Sequence, residues 1–328
     1  LCRSEQPDVH RESGSRTMAE VLRRQHSRQW RLLERVSWES LCDECCQDRS
    51  KFGSREIATA VWACAVLGVK DKRLLRGLFT TASRVLEQAE PRQWATTLWS
   101  AAALRREEHN LFQAAGEQAV ELAEKGTSRD ASNLVWAYAV TSAPVANAVL
   151  DAVAMAETSR GLGKLTAREL ATLAWACGTL AHRSSAVETL VPQLIAEARS
   201  GSHRFTQQGL TMLIWGLAAT MRSPALALPQ QGLEDFRCET FTSESDEEED
   251  PGKAEVVQLL QDMEWDVLTF AKRLAPQGCA NILWAYAAMG CSSEAVREEL
   301  AGALLDESGR IHAACNNQDI ANSLFAVA

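Results

Sequence analysis

The sequence predicts an all-α fold, a right-handed α-solenoid of about seven ~38-residue helix-turn-helix repeats, on three observations. First, the stretch Ala131-Ser132-Asn133-Leu134-Val135-Trp136-Ala137-Tyr138-Ala139 has close copies centred on Trp62, Trp99, Trp175, Trp215 and Trp284, with Phe325 in the same place. The spacings are 37, 37, 39, 40, 69 and 41 residues, so one interval holds an insertion and the rest share a period typical of stacked repeats. Second, an amphipathic helical segment lies between consecutive copies. Third, no stretch alternates with the two-residue period of a half-buried strand.

Within the copies, the residue four before the tryptophan is small (Ala58, Ala95, Ser132, Ala171, Thr211, Ala280, Ala321), and small residues return one and three after it. Positions one, two and five before it are mostly aliphatic. A helix apolar nearly all round is sandwiched between neighbours, so this is an inner helix. Its tryptophans, with Tyr138 and Tyr286, are assigned to the core rather than to base stacking. Start signals recur nine residues before the tryptophan as Thr127, Thr166, Thr206 and Asn316, with Asp130, Glu169 and Asp319 three residues on, the pattern of a capping box. Elsewhere Pro91 and Pro276 stand at the first helical position, where a missing N–H costs nothing.

One line on this helix stays polar. Seven before the tryptophan come Arg55, Arg92, Arg129, Arg168, Gln208, Gln277 and Gln318, and three before it Thr59, Thr96, Asn133, Thr172, Met212, Asn281 and Asn322. Four-residue spacing puts the two columns on one face, and the small residue one after the tryptophan is expected to complete the stripe. A packed helix keeps such a stripe where it faces solvent or a ligand.

Taken in order, residues 1–16 are a polar, aperiodic lead-in expected to be disordered, and 17–52 hold one or two helices or a degenerate repeat. The solenoid is expected over 53–328, with outer helices at Lys72–Gln88, Glu107–Lys125, Pro144–Ser159, Ala186–Arg199, Ala254–Arg273 and Ser293–Glu307. An insertion at about 222–252, with Pro224, Pro229, Pro251 and the acidic run after Ser243, reads as a solvated loop. Ser243 and Ser245 sit beside acids as acidophilic kinase targets do, although a solubilising spacer is the simpler reading. A first residue Leu1 and a last copy ending at Ala328 lead us to expect further chain beyond both ends.

Composition narrows the function classes. The net charge is −9, but six acids fall between Glu244 and Asp250, and the −3 left without them is still not the basic balance of a strong nucleic-acid binder. No run of 18 apolar residues is present, so membrane insertion is not expected. Most of the ten cysteines sit at repeat positions, as Cys64, Cys177 and Cys279 do, and behave as small hydrophobes of a reduced intracellular protein. Cys42, Cys45 and Cys46 share a helical face, but no second paired motif completes four zinc ligands. The six histidines stand at no repeated motif and near no nucleophile. Neither catalysis, a cofactor, a metal nor a small-molecule substrate is expected.

The stretches Asp319-Ile-Ala-Asn-Ser-Leu-Phe-Ala-Val-Ala, Gly278-Cys-Ala-Asn-Ile-Leu-Trp-Ala-Tyr-Ala-Ala-Met-Gly and Glu169-Leu-Ala-Thr-Leu-Ala-Trp-Ala-Cys-Gly-Thr-Leu resemble the octotricopeptide repeat, a helical-hairpin family, over roughly Gly53 to Ala328. Of that family's proline-rich repeat opening, only Pro91 and Pro276 are present. The resemblance implies sequence-selective binding of single-stranded RNA in mitochondria or chloroplasts, in transcript processing, stability or translation. FAST-kinase-like relatives of the family add a C-terminal RAP domain, which is not visible in this sequence. Helical repeats read roughly one base each through two or three side chains. On that reading Arg or Gln of the first polar column stacks on or hydrogen-bonds a base, and Asn or Thr of the second addresses its edge. The small residue after the tryptophan either admits a base to the backbone or packs helices. The alternative from another class is a protein-interaction scaffold of the armadillo or HEAT type, which the acidity favours.

Overall fold

The computed structural model describes residues 52–87, 89–201, 204–222, 251–305, 315–316, 319–320 and 322–323. The expected lead-in, the expected N-terminal helices with Cys42, Cys45 and Cys46, the acidic insertion with Ser243 and Ser245, and Gln318, Ala321 and Phe325 lie outside the described residues. All regular structure among the described residues is helical. The chain forms two compact units, residues 1–115 and 116–328.

The first unit contains α1 (Ser54–Leu67), α2 (Lys72–Val85), α3 (Pro91–Ala103) and most of α4 (His109–Glu117). Helix α1 packs on both α2 and α3, around Ile57, Val61, Leu78, Phe79 and Trp94. It ends at Gly68, whose φ of 65° lets its own N–H and that of Val69 turn back to the carbonyls of Ala65 and Cys64. Only glycine takes that conformation without strain.

The second unit holds α5 (Ala119–Lys125), α6 (Ser128–Thr141), α7 (Ala146–Arg160), α8 (Ala167–Leu180), α9 (Ser185–Arg199), α10 (Gln207–Met221), α11 (Pro251–Asp262), α12 (Glu264–Phe270), α13 (Pro276–Met289) and α14 (Glu294–Ala303). Helices α6, α8, α10 and α13 pack on one another in succession; α5, α7, α9 and α11 do the same in a second row. The first row is the one whose sequence repeats. Its small columns explain the closeness of the packing: a Cβ on Gly216 of α10 would stand 2.4 Å from the carbonyl of Ala174 in α8, and one on Gly178 would stand 2.5 Å from the carbonyl of Gly216. The column four before the tryptophan is buried at every described copy, from Ala58 to Ala280.

The start signals work as their chemistry requires. Thr127 and Asp130, and likewise Thr166 and Glu169, form reciprocal capping boxes; Asn316 and Asp319 exchange the same pair of bonds at 2.9 and 3.0 Å. Pro91 and Pro276 open α3 and α13. The second row follows the expected segments with altered edges. Lys72–Gln88 shortens to α2, and Ser293–Glu307 to α14. Glu107–Lys125 is two helices, interrupted where Gln118 takes φ −108° and ψ 11°, and Ala254–Arg273 is divided in the same way at Met263, ending in a 3-10 turn over Ala271–Arg273. Pro251 and Gly252, expected in the loop, are the first residues of α11.

The tryptophan column departs from expectation. Trp284 is buried and Tyr138 and Tyr286 are core residues, but Trp62 is 47% exposed, and Trp99, Trp136, Trp175 and Trp215 are only half-buried. The physical reason is angular. A residue seven after the polar column is two turns further along the helix, offset by only about 20°, so the indole lies on the polar line and not behind it. The residue one after the tryptophan, expected to complete that line, is instead buried in Ala137, Ala176, Gly216 and Ala285.

Candidate nucleic-acid interface

Each repeated helix presents one line in steps of four and three residues. In α6 it is Arg129, Asn133 and Trp136; in α8 Arg168, Thr172 and Trp175; in α10 Gln208, Met212 and Trp215; in α13 Gln277, Asn281 and Trp284. The first unit carries Arg55, Thr59 and Trp62 on α1 and Arg92, Thr96 and Trp99 on α3. The first column is exposed at all six described positions. Every member is the second residue of its helix, so its side chain stands at the positive end of the macrodipole. None of the four guanidinium groups makes a salt bridge or hydrogen bond among the described residues.

The second column is less uniform than the sequence led us to expect. Thr59 is exposed and Thr96, Asn133 and Asn281 are half-buried, whereas Thr172 is 8% and Asn322 5% exposed. The hydroxyls of Thr59 and Thr172 each donate to the carbonyl four residues back, at Arg55 and Arg168, over 2.8 Å. That uses their one donor and leaves lone pairs. Asn322 donates its side-chain N–H to the Oδ1 of Asn281 at 3.2 Å, so second-column residues of neighbouring repeats touch one another.

The indoles add what sequence reasoning assigned elsewhere. Trp215 and Trp284 pack with ring centroids 6.2 Å apart and planes tilted by 40°. Arg222, just past α10, lays its guanidinium over Trp284, 5.5 Å from the ring centroid, a cation–π arrangement. Burial there pushes the Arg222 pKa below its usual value. Trp284 is closed by these two neighbours; the earlier indoles keep part of their surface open.

Other arginines serve the fold. Arg160 donates to the carbonyls of Ala123, Glu124 and Gly126 at the end of α5 and pairs with the buried Glu157. Arg183 donates to the carbonyls of Thr220 and Arg222 at the end of α10. These are cations at the negative ends of helices, where they stabilise.

One cluster joins residues that the sequence kept apart. His182 Nε2 lies 3.0 Å from Asp151 Oδ2, and Ser184 Oγ donates to the other oxygen of the same carboxylate. Ser184 also accepts the N–H of Val187 to cap α9. The serine therefore hydrogen-bonds the carboxylate rather than the imidazole, and its oxygen is at the same time engaged as the cap of α9. Ser293 repeats the arrangement, donating to Glu264 while accepting from Val296 N–H. Both contacts join the cap of one helix to an earlier helix, α9 to α7 and α14 to α12.

No helix among the described residues is long and apolar enough to cross a membrane. No protein-family model matches the chain, and comparison with curated proteins returns no match.

Proposed function

We propose that the protein is a helical-repeat binder of single-stranded RNA, built from right-handed solenoid repeats, that selects its target sequence through the line of polar residues on the repeated helices. The observation that carries this reading is the arginine at the second position of α1, α3, α6 and α8, exposed and without an ion-pair partner among the described residues. A cation at the positive end of a helix costs roughly 0.3–1 kcal/mol where an acid would gain it. Such a choice made four times, against local stability, marks a function. Phosphate oxygens supply what the guanidinium groups lack, and the helix N-terminus itself favours an anion. Asn133 offers a donor and an acceptor to a base edge. On the octotricopeptide resemblance, the RNA is a mitochondrial or chloroplast transcript whose processing, stability or translation the protein supports.

The net charge of −9 favours a second reading, a protein-interaction scaffold of the armadillo or HEAT type. Ultraviolet crosslinking of the full chain in cells, followed by sequencing of the attached RNA and mapping of the crosslinked peptides, separates the two. Transcripts from one organelle attached to peptides of α6 and α8 support RNA binding. Recovery of proteins with no RNA above background supports the scaffold.

A further inference from the structure

We propose that Trp136, Trp175 and Trp215 are stacking platforms for three consecutive bases, and that Arg222 closes the fourth platform, Trp284, so that the footprint on this unit ends at Trp215. The inference rests on the RNA reading above and adds its binding mode. Three observations carry it. The three indoles lie on the same line as the first polar column, on helices that pack in succession. All three are half-buried while Trp284 is 3% exposed. Over Trp284 the structure supplies its own planar cation, Arg222, and beside it the tilted ring of Trp215, 6.2 Å away.

Rings left partly open, on helices of which α6 and α8 also present an arginine with no salt bridge or hydrogen bond among the described residues, fit a ligand that is itself both flat and anionic. A single nucleic-acid strand has that combination: its bases stack on aromatic rings while its phosphates meet basic groups. Arg129 and Arg168 stand two turns from Trp136 and Trp175 on the same helices, placing phosphate and base contacts along one line.

The three platforms differ in what accompanies them. Beside Trp136 stands Asn133, which offers both a donor and an acceptor. Beside Trp175 stands Thr172, buried and with its proton given to the Arg168 carbonyl. Beside Trp215 stands Met212, which has no hydrogen-bonding group to offer a base edge as a donor. Stacking itself tolerates any base. Base selection on this unit therefore concentrates at the Trp136 platform, and the other two contribute affinity.

The test is a titration of the full chain with short single-stranded RNA at low salt, following indole fluorescence and affinity together, against the same sugar-phosphate backbone lacking bases. RNA is expected to quench the indoles, and the base-free backbone is not. Trp175→Leu is expected to weaken binding by about fivefold or more, the lower end of what one stacked base contributes, while Trp175→Phe retains most of the affinity. Thermal melting of each variant separates lost folding from lost binding. Arg222→Ala is expected to add a quenched indole and lengthen the footprint. If RNA and the base-free strand bind and quench alike, with Arg129→Ala still weakening both, stacking is overturned and the RNA reading stands. If no strand binds at all, the RNA reading itself falls.

Discussion

Gly216 separates two neighbouring backbones, and a methyl group added there meets the carbonyl of Ala174 and the Cα of Trp175 at 2.4 and 2.6 Å. Backbone cannot move aside as a side chain can. Gly216→Ala is therefore expected to destabilise the second unit by about 3 kcal/mol, the upper end for overpacking, read as a lower urea midpoint. Gly302, with nothing within 4 Å of its added Cβ, should gain about 0.4–1 kcal/mol as Ala. A second pair of substitutions tests the reassigned tryptophans. Tyr138 is fully buried, so Tyr138→Ala should cost about 3–5 kcal/mol, while half-buried Trp136→Ala should cost only roughly 1–2 kcal/mol. Equal losses would return Trp136 to the core. Trp62, Trp99, Trp136, Trp175 and Trp215, unlike Trp284, depart from the core assignment because hydropathy outweighed angle: aliphatic neighbours in sequence are not neighbours around the axis. The polar line itself was legible, since Arg129 and Asn133 have no core role to explain them. Burial also pushes the Cys177 thiol from 9.0 up to about 12. The unfolded thiol ionises first, so stability should be full below pH 9 and fall as pH rises toward 12.

At the scale of the element, the repeated helices carry their own start signals, and these were legible because capping depends on residues three apart. Thr166→Ala removes the Oγ1 that receives the N–H of Glu169 and should cost about 1 kcal/mol, with amide exchange quickening first at the start of α8. The second row was less legible. Its edges rest on bonds that reach across 30 or more residues: Ser184 to Asp151, and Arg160 to the end of α5. No local pattern announces them. Arg160→Met leaves Glu157 buried without its cation, and should cost about 3–5 kcal/mol. Adding Glu157→Gln should recover part of that in urea unfolding. No recovery would show that the carbonyl contacts, not the buried charge, carry the effect.

For the whole molecule, net acidity and local basicity have to be weighed against each other. The charge of −9 includes six acids within Glu244–Asp250, outside the described residues, while α1, α3, α6 and α8 each present one exposed arginine at their second position. Beyond about 8–10 Å, salt screens distant charge, so at physiological ionic strength a bound strand responds mainly to the groups it touches. The central claim is that those groups hold the phosphates of single-stranded RNA. It is tested most directly by the salt dependence of RNA affinity, compared between the unaltered protein and the Arg129→Ala, Arg168→Ala double variant. Each phosphate contact on a single strand contributes about 0.7 to the slope of log affinity against log salt, so losing both arginines should weaken binding and make that slope shallower by about 1.4. An unchanged slope and affinity, or no binding by the unaltered protein at low salt, would contradict it.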